Sequence, residues 1–191
     1  MANEILKVLK LLIEKNGEKL SIRKISKLRK VNYKTAYNAV MKLKEKGAVL
    51  LERLGNTTHC YFANKFSPLV LAAEYERKNE LLKNKNFKVL HDKLNALPFP
   101  LVALIFGSYV KGGAKRLSDI DLLVVCEKER TREVESTISL LPLKIHLTVV
   151  TPEEFIKMGR SKEFSVVSEA MKNNIILVGV EDYYRLVEHV G

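Results

Sequence analysis

The sequence predicts an α+β protein in three parts: helices closed by a hairpin over residues 1–65, a helical connector over 66–97, and a domain with a small mixed sheet over 98–191. Three observations carry that reading. The first third places apolar residues at helical spacing and then shows two short strand-like runs around a Gly-Asn pair. Two apolar runs, Leu101–Phe106 and Leu122–Val125, bracket a glycine-rich segment in the manner of buried strands. The charge is uneven as well. Of a net +11, residues 1–65 hold 15 Lys/Arg against 5 Asp/Glu, whereas residues 66–191 hold 18 against 17.

Ile5, Leu9, Leu12 and Ile13 form the stripe of an amphipathic helix ending near Gly17. Ser21 stands where it can cap a second helix bearing Ile22, Ile25 and Leu28 on one face. Asn32 stands likewise before a third, which runs to about Lys46 and stops at Gly47. On its wheel Ala36, Val40 and Leu43 point inward, and Lys34, Thr35, Asn38 and Lys42 outward. Tyr33 and Tyr37 fall nearer the inward side and are expected to pack. Val49–Arg53, a Gly55-Asn56 turn and Cys60–Phe62 read as a hairpin.

Helix, helix, helix, hairpin in this length resembles a winged helix-turn-helix domain. The resemblance implies double-stranded DNA as partner, with the third helix in the major groove. Asn38 then faces an adenine edge, Thr35 a thymine methyl, and Lys34 and Lys42 phosphate or guanine. Arg53 and Asn56, with Thr57, Thr58 and His59, sit at the hairpin tip for the flanking backbone. The positive excess of residues 1–65 suits a polyanion. The same fold also serves protein contacts, and a Lys-rich surface also serves solubility.

Ser67-Pro68 reads as a helix start, Ser as cap and Pro in the first position. The pattern from Leu69 to Lys85 is helical. Phe87, Leu90, Leu94 and Leu97 extend its apolar stripe to Pro98-Phe99-Pro100, which ends it. One bent helix or two are expected. The stripe has either domain, or a second copy in a homodimer, as its partner.

The chemistry lies in the last part. Gly107-Ser108 ends the first apolar run, and Asp119-Ile120-Asp121 opens the second. On a strand, Asp119 and Asp121 share one face and Ile120 points to the core. Two carboxylates on one face can hold a divalent cation, and Mg²⁺ accepts such a site when phosphates complete its shell. A Gly-Ser turn after a strand lets backbone N–H groups approach a phosphate. Between them, Lys111, Lys115 and Arg116 offer cations to a triphosphate, or form an ordinary surface loop.

Gly107-Ser108, ten residues and Asp119-x-Asp121 resemble the signature of polymerase-beta-like nucleotidyltransferases, in particular the small prokaryotic minimal ones. The resemblance spans about 98–190 and includes the Lys144–Val150 strand, Thr151–Phe155 and Asn173–Gly179. It implies Mg²⁺, or Mn²⁺, held by Asp119 and Asp121, with an NTP bound by Gly107 and Ser108. It implies transfer of an NMP to an acceptor hydroxyl, which in minimal members is associated with partner proteins. Active members usually carry a third carboxylate on a neighbouring strand. Here His146 holds that position, as a base or a ligand for softer metals, or as a mere strand residue. Glu153 and Glu154 are the alternative carboxylates, though they read first as residues of a helix start. The second reading is therefore a regulator that senses a nucleotide without turnover.

Thr131–Leu141, Glu163–Lys172 and Glu181–His189 read as helices, and Ile175–Val178 as a last strand. Cys60 and Cys126 are far apart, which excludes a disulfide framework and suits a reducing compartment. Cys126 reads as a small core residue. No apolar run approaches the ~20 residues of a membrane span. The first ten residues are too broken by charge for a secretory leader, so a cytoplasmic protein without membrane contact is expected.

Overall fold

The computed structural model describes residues 2–110, 118–161 and 163–191. The chain divides into two compact units, Met1–Tyr75 and Glu76–Gly191.

The first unit runs α1 (Ala2–Glu14), β1 (Leu20–Ser21), α2 (Ile22–Arg29), α3 (Tyr33–Glu45), β2 (Val49–Leu54) and β3 (Thr57–Phe62). The expected caps form. Ser21 Oγ accepts from the Lys24 N–H at 3.1 Å, and Asn32 Oδ1 from the Thr35 N–H at 2.8 Å. A side-chain cap of this kind stabilises a helix by about 1 kcal/mol. Leu9, Leu12, Leu20, Ile25, Val40 and Leu43 are fully buried where α1, α2 and α3 meet the sheet. Burial is worth about 1.5–3 kcal/mol for each such side chain.

The sheet order is β1-β3-β2, all antiparallel, and Leu54 opposite Thr57 leaves Gly55-Asn56 as the two-residue turn. Gly55 has φ +59°, which a two-residue hairpin turn asks of its first central residue. Strand β1 was not legible, because two residues have no period. It exists by pairing: Leu20 lies opposite Cys60, whose Sγ donates to the Leu20 carbonyl at 2.9 Å. The helices and small antiparallel sheet are compatible with a winged helix.

One expectation is corrected. Tyr33 and Tyr37 do not pack inward; they are 55% and 43% exposed. Ala36, Ala39, Val40 and Leu43 fill the buried side of α3, which centres the core stripe away from both rings.

α4 (Pro68–Leu81) carries the chain from one unit to the next, with Ser67 Oγ accepting from the Val70 N–H. The rest of the connector is α5 (Lys85–Asn95), and it belongs to the second unit. Its Phe87, Leu90 and Leu94 are part of that unit's core.

The second unit continues with β4 (Val102–Phe106), β5 (Ile120–Val125), α6 (Thr131–Ser139), β6 (Ile145–Val150), α7 (Pro152–Arg160), α8 (Val166–Lys172), β7 (Ile175–Val178) and α9 (Val180–Val190). Its four strands form a mixed sheet, order β6-β5-β4-β7, with β5 and β6 parallel and the other pairs antiparallel. Ala103, Ile105, Ile120, Leu122 and Val124 pack with α5 and α6. The alternate residues, among them Leu104, Leu123 and Val125, turn to the other face. There α8 and α9 meet β4. Both faces of β4 are thus covered, which is why its run is apolar throughout. Helix α8 starts at Val166 and not at Glu163, because Ser165 and Ser168 form a reciprocal cap. Among the described residues no helix is long and apolar enough to cross a membrane.

Candidate functional site

The sheet sets the end of β4 beside the start of β5, with Phe106 paired to Asp121. Gly107 follows at φ +70°, opening the 3₁₀ turn Gly107–Tyr109. A Cβ on Gly107 would lie 2.0 Å from Asp121 Oδ2 and 2.9 Å from its Cγ. Glycine is favoured by the left-handed backbone, and any side chain there would displace the carboxylate against it. Asp121 is partly buried, at 28% side-chain exposure. Ser108 stands half-buried in the turn, and Asp119 is exposed two residues before Asp121. Ile120 is buried between the two carboxylates, as the alternation requires.

The parallel register of β5 and β6 pairs Asp121 with His146. His146 Nδ1 lies 3.5 Å from Asp121 Oδ1, and the ring is largely exposed. The structure thus brings together Gly107, Asp121 and His146, which come from three separate segments. Ile145, Leu147 and Val149 pack on the core, so His146 is on the opposite face of β6, as the period of two demands.

Glu153 and Glu154 are not beside this site. They follow the far end of β6, and five residues of strand span roughly 16 Å. Glu154 is also engaged: its carboxylate accepts from the Thr151 N–H at 2.8 Å while Thr151 Oγ1 accepts from Glu154 N–H. With Pro152 at the first position this is a capping box. The cap occupies Glu154, and for Glu153 the argument against serving as the third carboxylate is its place beyond the far end of β6.

Tyr109 is a participant that the sequence reading passed over. Its hydroxyl donates to the Ser118 carbonyl at 3.0 Å, and its ring meets the buried Phe87 edge-on at 5.1 Å. A phenol nine residues upstream thereby ties down the backbone just before Asp119. The aromatic letter was visible in the sequence; its partner was not. Lys111, Lys115 and Arg116 lie outside the described residues.

The donors present suit a hard divalent cation that also binds phosphate, since Asp119 and Asp121 supply oxygens only. The third donor in contact is a nitrogen, which suits a softer ion. Among the described residues no three His, Cys, Asp or Glu side chains stand close enough together to enclose an ion. Any cation here needs ligands from elsewhere, and phosphate oxygens are the natural supply.

In the first unit Lys34, Asn38, Lys42, Arg53 and Asn56 are exposed and Thr35 is half-buried. Arg53 Nε donates to the Gly55 carbonyl at 3.3 Å, which draws that side chain back along the hairpin. Lys34, Thr35, Asn38 and Lys42 line a groove of about 270 Å³ whose other wall carries Glu4 and Ile5 of α1.

The second unit thus has a mixed sheet with a Gly-Ser turn closing one strand and Asp-x-Asp opening the next. Residues 88–181, just under half of the chain, match the family described as polymerase beta, nucleotidyltransferase. The match begins inside α5, in line with that helix belonging to the second unit. Among solved structures, a chain described as "Crystal structure of the toxin-antitoxin with AMP-PNP" is 20% identical, over 56% of this chain and 84% of that one, with a TM-score of 0.35. No curated protein matches the chain significantly.

Proposed function

We propose that the second unit transfers a nucleotidyl group from a metal-bound NTP to an acceptor hydroxyl, and that the first unit binds double-stranded DNA. The observation that carries the first half is the Asp121 carboxylate, set against Gly107 and faced by His146. Ser108 and the backbone N–H groups of its turn would take the terminal phosphates. Asp119 and Asp121 would hold the cation, Mg²⁺ or Mn²⁺, which when bound would neutralise phosphate charge and align the in-line displacement. With His146 Nδ1 turned to Asp121, Nε2 is the nitrogen left to accept the acceptor's proton. A protein hydroxyl is the acceptor suggested by the family resemblance.

A second reading has its own support. Histidine at the third-carboxylate position, and a site short of three clustered ligands among the described residues, fit a regulator that binds NTP and does not turn it over. One experiment addresses both. Full-length protein is titrated calorimetrically with ATP and GTP in Mg²⁺ or Mn²⁺, and pyrophosphate release is measured with and without cell lysate. Pyrophosphate release supports transfer, and metal-stimulated binding without it supports the sensor. Unchanged affinity in Asp119→Asn/Asp121→Asn refutes the site.

For the first unit the support is the concentration of positive charge in residues 1–65 and the outward Lys34 and Asn38 on α3. Duplex affinity should fall steeply with salt as counterions are released. A protein lacking residues 1–65 that binds DNA equally well excludes this assignment.

A further inference from the structure

We infer that Tyr33 and Tyr37 together form the apolar reading surface of the first unit, contacting thymine methyl groups in the major groove of duplex DNA. The inference rests on the reading that this unit binds DNA. Their rings are stacked, with centroids 6.2 Å apart and planes 27° from parallel. Both sit on the first two turns of α3, the end of a recognition helix that meets base edges. Two half-exposed aromatic rings held side by side on a helix surface are an unpartnered apolar patch, and such patches mark contacts.

Charge selects the occupant. The exposed neighbours of the rings along α3 are Lys34, Asn38 and Lys44, and residues 1–65 carry 15 basic against 5 acidic side chains. Glu4 lies across a narrow groove from Lys34, Thr35, Asn38 and Lys42 and is paired with Arg29, 3.2 Å away, which offsets its charge. Neither tyrosine lines that groove. The helix therefore presents Tyr33 and Tyr37 to the duplex beside basic side chains. Thymine is the one base that offers a methyl group there.

The test uses the full chain. Duplex sites are selected from a random pool with wild-type protein, and each thymine of the selected site is then replaced by uracil, which removes only a methyl. Burying one methyl is worth about fourfold in affinity. Wild type should lose about that factor at one or two positions, Tyr37→Ala should be insensitive to the same replacements, and Tyr37→Phe should keep the sensitivity. Tyr33→Ala should erase it at a neighbouring position. Thermal melting checks that these surface changes leave the fold intact. A wild type indifferent to uracil at every position overturns the inference, as does an unchanged thymine-to-uracil ratio in both alanine variants. A wild type with no salt-dependent duplex binding refutes the DNA reading itself and points the aromatic pair to a protein partner.

Discussion

Replacing Gly107 by alanine tests the contact on which the candidate site is built. The backbone there sits at φ +70°, and a side chain in that region costs roughly 1–2 kcal/mol. The added Cβ would also lie 2.0 Å from Asp121 Oδ2, so the carboxylate must move by more than 1 Å to reach ordinary contact. Overpacking of that kind adds about 1–3 kcal/mol. Gly107→Ala should therefore destabilise the second unit by about 2–5 kcal/mol. In an Asp121→Ala background the two offending atoms are gone, and only the Asp121 Cβ remains, at 3.3 Å. The same change should then cost only the backbone part. Urea unfolding followed by circular dichroism, on wild type, both single variants and the double variant, gives the coupling directly. A cost that is the same in both backgrounds would show that the turn and the carboxylate are independent. The displaced carboxylate should also slow any nucleotidyl transfer by about a hundredfold, which pyrophosphate release by Gly107→Ala reads.

His146→Asp restores a third oxygen ligand beside Asp121 and should raise Mg²⁺-dependent pyrophosphate release, while His146→Ala should not; equal rates in all three proteins make His146 a bystander. Cys60 gives a pH dependence. Burial pushes its thiol up to about 12 from an ordinary 9.0. The unfolded chain gives up that proton first, so the contribution is complete below about pH 9 and declines as pH rises toward 12, by about 1.4 kcal/mol per unit. Urea midpoints between pH 8 and 10 should accordingly fall more steeply for wild type than for Cys60→Val, and parallel slopes would contradict this. Lys34→Ala should weaken binding to all duplexes and lower the salt slope by about one, whereas Asn38→Ala should relax preference at one base pair; loss of general affinity in both would assign Asn38 to the backbone.

The local grammar of this chain was legible before its fold. Ser21, Asn32 and Ser67 announce helix starts because a short polar side chain satisfies a free N–H within three residues of itself. Leu101–Phe106 and Leu122–Val125 announce buried strands because both faces must be apolar. The spacing from Gly107-Ser108 to Asp119-x-Asp121 pointed to the family that residues 88–181 match, and alternation along Lys144–Val150 chose the face on which His146 falls.

What pairs with what was decided only in three dimensions. His146 meets Asp121 because β6 runs parallel to β5 in one particular register, and a slip by one residue would have turned the imidazole into the core. Gly107 is favoured because Asp121, fourteen positions later, returns beside it across the β4–β5 ladder. Leu20-Ser21 is a strand only because Cys60 and His59 lie opposite. Tyr33 and Tyr37 are surface residues because Ala39 widens the buried stripe on the other side of α3. Periodicity and capping act within a few residues and can be read in order along the chain. Strand register, close approach and exposure depend on atoms brought together from distant segments, and those the fold alone determines.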